Sequence, residues 1–465
     1  MYIVVVGAGE VGVYITRLLT DPKYQLKNME VAVIDLDSER LDEIQTEVNA
    51  NLIHGSGSHP AVLLDADIGR ADLLVAVTPN DEVNLLASLF ARNQGVSKTI
   101  VRVEAPEFKS ESGNEDFFLG SLGPNLVFDP DEDTANEIAE LLGAWGAEEL
   151  ALLCDGEVAI MGVTLSEDAE FCGQTLSEIG DKYEPEWNFL VAALQRNGDT
   201  TIPRSDERLQ DGDRLWLVIK RSERSNVLES LGFKKKKHRR VLLLGGGRTA
   251  EFLAQKLIEM RFREVTLVEQ NERRAAKLAT RLDGVDVVNG DISDAQFLSS
   301  EIDAGKYDAA VALTGKDEAN VLACMYAKSL GVERTIAILH RLKLLKLLGL
   351  AGVDSALSPV TASANRVLSY VHEVDDVATF LGADQNFEVA ELEVDEGSAA
   401  ASSTLRDLGL PKEALVGAYV RDGVPLIGRG TSQLMAGDHV LLIARPERID
   451  EFRSYFLSGD KVNGN

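Results

Sequence analysis

Two short glycine runs carry most of the chemistry legible in this chain. The first, Gly7-Ala8-Gly9-Glu10-Val11-Gly12, follows the apolar run Ile3–Val6, and Asp35 stands 23 residues beyond Gly12 at the end of a second apolar run. Glycines at this spacing have three separate uses. Gly7 permits a tight strand-to-helix turn, Gly9 lets the backbone approach a pyrophosphate, and Gly12 lets the helix pack closely on the strand. The helix opening near Glu10 presents free N–H groups and a positive dipole end to the same pyrophosphate. A carboxylate at Asp35 suits a ribose diol and repels a 2′-phosphate, which favours NAD over NADP. Arg40 is nearby but falls inside a helical pattern rather than at the strand end.

The second run, Gly245-Gly246-Gly247-Arg248-Thr249-Ala250, follows Val241–Leu244 and leads to Glu269. It departs from the first in having Ala250 at the third glycine position, an extra Gly246, and an acid of longer reach. Arg248 has two readings: a direct phosphate contact, or a filler of space where no nucleotide binds. Thr78 and Thr314 end the fourth strand of each half, at the mouth where such sheets bind ligands. Their hydroxyls bond either a ribose or phosphate, or a local turn or cap. Arg102, ending the fifth strand, either neutralises a phosphate or forms a surface ion pair. His54 and His59, flanking Gly55–Ser58, read as loop residues.

The elements that position these residues recur as a repeat. Thr78 and Thr314, Asp81 and Asp317, and Asn84 and Asn320 are each 236 residues apart; further on the offset slips to 225, pairing Arg196 with Arg421 and Asp213 with Asp438. Long agreements separated by small slips are what loop insertions and deletions leave. Short Val/Ile/Leu runs near 2–6, 30–35, 51–53, 72–77, 99–104 and 126–128 alternate with helical patterns, and the same order returns at 240–357. That alternation predicts an α/β fold with two Rossmann-like doubly wound parallel sheets. Behind each lies a small α+β module, with strands at Val158–Leu165, Phe189–Gln195 and Arg214–Ile219 and a helix start at Thr175–Ile179. The second copy runs through Phe387–Val394, Thr404–Leu408, Leu415–Val420 and His439–Ile443. Domains are thus expected at 1–146, 147–232, 233–375 and 376–465. The basic run Lys234–Arg240 reads as a solvated linker or a contact to an acidic partner or membrane face. His340–Gly352 reads as a basic amphipathic helix, either packed or used for docking.

Composition narrows the function classes. A net charge of −29 over 465 residues argues against general nucleic-acid binding, since phosphate would be repelled. Cys154, Cys172 and Cys324 are scattered and odd in number, with neither a disulfide framework nor a metal-ligand spacing, so a reducing cytoplasm is expected. There is no signal-peptide pattern before the first strand and no run of 18 apolar residues, and a chain that does not span a membrane is expected. No catalytic residue stands out: the six histidines show no proton-relay spacing, and neither small module offers an acid–base group for hydride transfer.

The segments GAGEVG, VIDLD, HGSGSHPAVL, AVTPNDEVN and VRVEAPEF, with GGGRTA, VEQNERRAAKLA, GDISD and ALTGKDEANVLAC in the second half, resemble the TrkA family of the Trk potassium-uptake systems. The resemblance covers essentially the whole chain as an N-type and a C-type RCK (regulator of potassium conductance) domain, each used twice. It implies a non-enzymatic regulatory subunit, a homo-oligomeric ring (a tetramer of tandem chains) lying peripherally on the inner face of the cell membrane. The ring would sit beneath a potassium-translocating subunit of the TrkH/TrkG type. It implies NAD(H), and also ATP or ADP, as ligands. Family binding positions fall on Gly7, Ala8, Gly9, Glu10, Val11, Asp35, Val77, Thr78 and Arg102, then on Gly245, Gly246, Gly247, Arg248, Thr249, Glu269 and Thr314. Two other classes stay open at this point: an NAD-dependent oxidoreductase, and a nucleotide sensor for another membrane cation transporter.

Overall fold

The computed structural model describes residues 1–20, 29–105, 108, 123–154, 156–184, 187–233, 240–347, 352–373, 377–381, 387–445 and 448–458. Lys234–Arg239 of the basic run lies outside them, as does 348–351. Strands β1 (Tyr2–Val6), β2 (Glu30–Asp35), β3 (Asn51–His54), β4 (Leu73–Ala76), β5 (Lys98–Arg102) and β6 (Leu126–Phe128) form one parallel sheet in the order β3-β2-β1-β4-β5-β6. Val6 pairs with Ile34 on one side and Ala76 on the other. β1 and β4 read as near-continuous apolar runs because both faces of their sheet are covered.

Strands β7 (Glu149–Leu153), β8 (Val158–Thr164), β9 (Phe189–Arg196), β10 (Asp199–Thr201) and β11 (Arg214–Lys220) form an antiparallel sheet, β10-β9-β11-β8-β7. Its helix Leu176–Tyr183 opens with a capping box, Thr175 and Glu178 each satisfying the other's backbone N–H. The parallel sheet then recurs in β12 (Arg240–Leu244), β13 (Glu264–Glu269), β14 (Asp286–Asn289), β15 (Ala309–Ala312), β16 (Arg334–Ile338) and β17 (Ser355–Leu357), with the equivalent order β14-β13-β12-β15-β16-β17. Last come β18 (Val377–Leu381), β19 (Glu388–Glu393), β20 (Ala414–Arg421), β21 (Val424–Ile427) and β22 (His439–Ala444), in the order β18-β19-β22-β20-β21.

Two segments differ from the sequence expectation. Thr404–Leu408 forms turns rather than a helix: the Thr404 hydroxyl caps the Asp407 N–H at 3.1 Å, but Gly409 at φ +65° and then Pro411 stop the chain after one turn. Of 340–352, residues 348–351 lie outside the described residues, and Leu342–Leu347 forms a six-residue 3-10 stretch. Its entry is bound elsewhere, because the Asp317 carboxylate accepts the His340 and Arg341 backbone N–H groups, both at 3.0 Å.

The chain forms two compact units, Met1–Asn136 with Arg240–Leu368, and Glu137–Arg239 with Ser369–Asn465. The first holds both parallel sheets. The second holds both antiparallel sheets, which share one core built from Val158, Ile160, Trp216, Val218, Phe387, Val389, Leu441 and Ile443. The rings of Trp216 and Phe387 meet edge to face with centroids 5.2 Å apart. A methyl at Gly417 would lie 2.7 Å from Ile443 and 2.9 Å from Val218, so the glycine is what lets the sheets approach. Arg196 bonds Asp213 through two parallel contacts of 2.7 and 2.8 Å, and Arg421 bonds Asp438 in the same way. These repeated pairs tie a strand end to a turn inside each module. Among the described residues, no helix is long and apolar enough to cross a membrane.

Candidate nucleotide sites

Both glycine runs sit at the carboxyl end of the central strand of a parallel sheet, beside the strand where the order reverses. In open α/β sheets that crevice is where ligands bind. Gly7 has φ +110° and Gly245 φ +111°, a conformation that a side chain rarely adopts. A methyl on Gly7 would also lie 3.1 Å from the Thr78 amide nitrogen, and one on Gly12 only 1.9 Å from the Gly7 carbonyl oxygen. Gly9 is exposed, with open space where its Cβ would stand. The first loop thus has its turn, its close helix packing and an unobstructed outer edge, on the helix Glu10–Thr20.

The acid of each loop is turned onto the loop itself. Asp35 accepts the Ala8 N–H at 2.5 Å and the Asp37 N–H at 2.8 Å. Glu269 accepts the Gly246 N–H at 2.9 Å and the Asn271 N–H at 2.7 Å. A carboxylate has about four acceptor positions, so each keeps room for ribose hydroxyls. The extra glycine of the second loop has a steric cause: a methyl on Gly246 would lie 2.7 Å from Glu269 Oε2 and 2.8 Å from Leu278. Ala with Asp in one half and Gly with Glu in the other are therefore matched pairs.

An arginine completes each loop. Arg40 Nε donates to the Ala8 carbonyl at 3.0 Å, and Arg274 Nε donates to the Gly246 carbonyl. The sequence marks Arg40 only as a neighbour inside a helical pattern and gives Arg274 no role. The signal was present, since 40 and 274 share the 234-residue offset of Asp35 and Glu269.

Thr78 and Thr314 are turn residues here. The Thr78 hydroxyl donates to Asn84 Oδ1 at 2.7 Å, and Asn84 Nδ2 donates to the Thr78 and Arg102 carbonyls, both at 2.9 Å. Asn320 does the same for Thr314 and Ile338. Each asparagine is fully buried and locks the ends of two adjacent strands beneath a loop. Val77 is buried under Gly7 and Gly12. The Arg102 side chain is ion-paired with Glu104, the two being 22% and 29% exposed, and the Arg102 carbonyl accepts from Asn84.

Arg248 and Thr249 open the helix Arg248–Glu259 of the second loop, where a pyrophosphate would lie. Arg248 instead donates to Asp129 Oδ2 at 2.6 Å, to the Glu104 carbonyl at 2.7 Å and to Asp131 Oδ2 at 3.3 Å. The Thr249 hydroxyl donates to Asp131 Oδ1 at 2.5 Å. The Asp129 carboxyl is only 1% exposed. Burial works to lower the Arg248 pKa, yet the fields of Asp129, Asp131 and Glu104 leave it above its ordinary value. In this structure Arg248 is held by carboxylates of the first half. It also walls a cleft of about 400 Å³ with Asp81, Glu82, Glu104 and Phe108.

Two parallel sheets with glycine loops at their switch points, each followed by a small antiparallel module, define a tandem protein of Rossmann-like α/β domains. Residues 3–114 and 241–359 match the TrkA-N domain family, and 160–232 and 389–457 the TrkA-C domain family. The chain belongs to the TrkA family. It is 34% identical over 458 residues to the Trk system potassium uptake protein TrkA homolog of Archaeoglobus fulgidus, covering 98% of this chain and 100% of the relative. The TrkA of Vibrio alginolyticus is 28% identical over 95% of each chain. The crystal structure of the GsuK RCK domain superposes with a TM-score of 0.61 at 18% identity, over 98% of this chain and 94% of that one. The GsuK channel bound to NAD gives 0.61 at 18% identity, over 98% and 78%.

Proposed function

We propose that this chain is the nucleotide-binding regulatory subunit of a Trk-type potassium uptake system. It lies on the cytoplasmic face of the membrane, and NAD(H) or adenine nucleotide shifts its conformation to control a potassium-translocating membrane subunit. The observation that carries this reading is the first loop: the Gly7 turn, the open edge at Gly9, and an Asp35 carboxylate with acceptor positions to spare, on a chain of the TrkA family. The relatives are named for potassium uptake, and the GsuK structures include one with NAD. Binding regulates only if the ligand prefers one arrangement of the domains; about 5.5 kcal/mol of preference takes a 1:99 population to 99:1.

Assembly into a ring of like chains is supported by a repeated apolar surface. Leu86 and Leu89 on one helix are 51% and 46% exposed, and Leu322 and Met325, at the matching positions of the second half, 64% and 40%. A tetramer of tandem chains would cover both faces.

NADH binding to the full chain, followed by its fluorescence, tests the site. Asp35→Ala removes the ribose acceptor and the Ala8 contact, and a loss of about tenfold or more in affinity is expected, the size of one or two charge-assisted hydrogen bonds. Unchanged affinity in that variant would sink the assignment of this loop.

A further inference from the structure

The two glycine loops of the first unit are not equivalent in what lies against them. In the second, the side chains of Arg248 and Thr249 are bonded by Asp129 and Asp131 at 2.6, 3.3 and 2.5 Å. Carboxylate oxygens here take the place that phosphate oxygens take at such a helix start, and a guanidinium fork serves either anion. In the first loop Glu10 stands where Arg248 stands in the second. It is 61% exposed and pairs with its own half's Arg40 at 3.8 Å. The positions matching Asp129 and Asp131 hold Ser358 and Val360, which carry no charge, and the Ser358 hydroxyl accepts the Val360 N–H at 3.3 Å.

We propose that Asp129 and Asp131 are an internal anion that latches the second glycine loop: a nucleotide enters that loop only by displacing them from Arg248 and Thr249. Occupancy of the second loop is thereby coupled to release of the first nucleotide-binding domain from the second, while the first loop fills without breaking such a contact. The inference rests on Gly245–Glu269 being a nucleotide site. It gives the two loops different tasks. The first senses nucleotide directly; the second responds only when ligand outcompetes a buried carboxylate, so its affinity reports the state of the domain pair.

Asp129 also caps the following helix, its Oδ1 accepting the Asp131 N–H at 2.9 Å, and asparagine preserves that cap while removing the charge. ADP, which carries the pyrophosphate without nicotinamide, is titrated calorimetrically into the full chain as native protein, as Asp131→Asn and as Asp129→Asn/Asp131→Asn. Amide hydrogen exchange over Gly7–Gly12 and Gly245–Ala250 locates the bound ADP. The latch predicts that ADP protects Gly245–Ala250 in the double variant at a concentration about tenfold or more below that needed in native chain, with a smaller gain in Asp131→Asn. Affinity at Gly7–Gly12 stays the same. Equal protection of the second loop in native and variant chains overturns the latch but keeps the site. No protection of Gly245–Ala250 in any chain overturns the second loop as a nucleotide site, and the latch with it.

Discussion

At the scale of residues, the loops are governed by contacts of single atoms. A methyl at Gly12 would meet the Gly7 carbonyl oxygen at 1.9 Å, whereas Ala250 occupies the same position in the second half, fully buried. Gly12→Ala is therefore expected to destabilise the chain by about 1–3 kcal/mol, the usual cost of overpacking, read from urea midpoints. Ala250→Gly should cost no more than about 1 kcal/mol in helix propensity. Asp317 provides a pH dependence. Burial raises its pKa, but hydrogen bonds from the backbone and side chains of His340 and Arg341 outweigh this and hold it below the ordinary value. Because the folded pKa is depressed, the stabilisation is fully present above the unfolded value of about 3.9 and is lost as pH falls through the folded one. Asp317→Asn should lower stability at neutral pH and flatten its decline below about pH 4, measured by denaturant titration across pH.

At the scale of elements, legibility followed burial. β1, β4, β12 and β15 are covered on both faces, so they stand out as unbroken apolar runs; Gly7 and Gly245 follow β1 and β12, and Asp35 and Glu269 end β2 and β13. The strands β7, β10, β18 and β21 at the sheet edges went unread. Asp199–Thr201 is short and polar, and Glu149–Leu153 is half-buried along its length, so neither alternates in hydrophobicity. Over Leu342–Leu347 the leucines sit at helical spacing, yet the stretch is 3-10 and the amides just before it are claimed by Asp317. The sharing of one core by the two small sheets was also invisible, since an apolar strand face does not state its partner. Trp216, 1% exposed against Phe387, is the largest side chain in that core. Trp216→Ala should cost about 3–5 kcal/mol in equilibrium unfolding. A loss under 1 kcal/mol would mean that the two sheets do not depend on their common core.

At the scale of the molecule, duplication was legible and the pairing of its products was not. The offsets expose the repeat, but nothing in the spacing announces that Arg248 finds Asp129, 119 residues away, because complementary charges carry no period. The repeat also places Leu86 and Leu322 on matching exposed helix faces. If a ring of chains covers them, Leu86→Asp with Leu322→Asp should shift the mass seen by light scattering from the oligomer toward the single chain; an unchanged mass would place the interface elsewhere. The central claim, nucleotide control of potassium uptake, is tested most directly by potassium flux into vesicles carrying the membrane translocating subunit, with this chain added and NADH, ATP or ADP varied. The account predicts that native chain makes flux depend on nucleotide and that the Asp35→Ala chain, with its fold intact, removes the dependence on NADH. Flux indifferent to the chain and its nucleotides, or NADH consumed in oxidation of a carbonyl substrate, would contradict it.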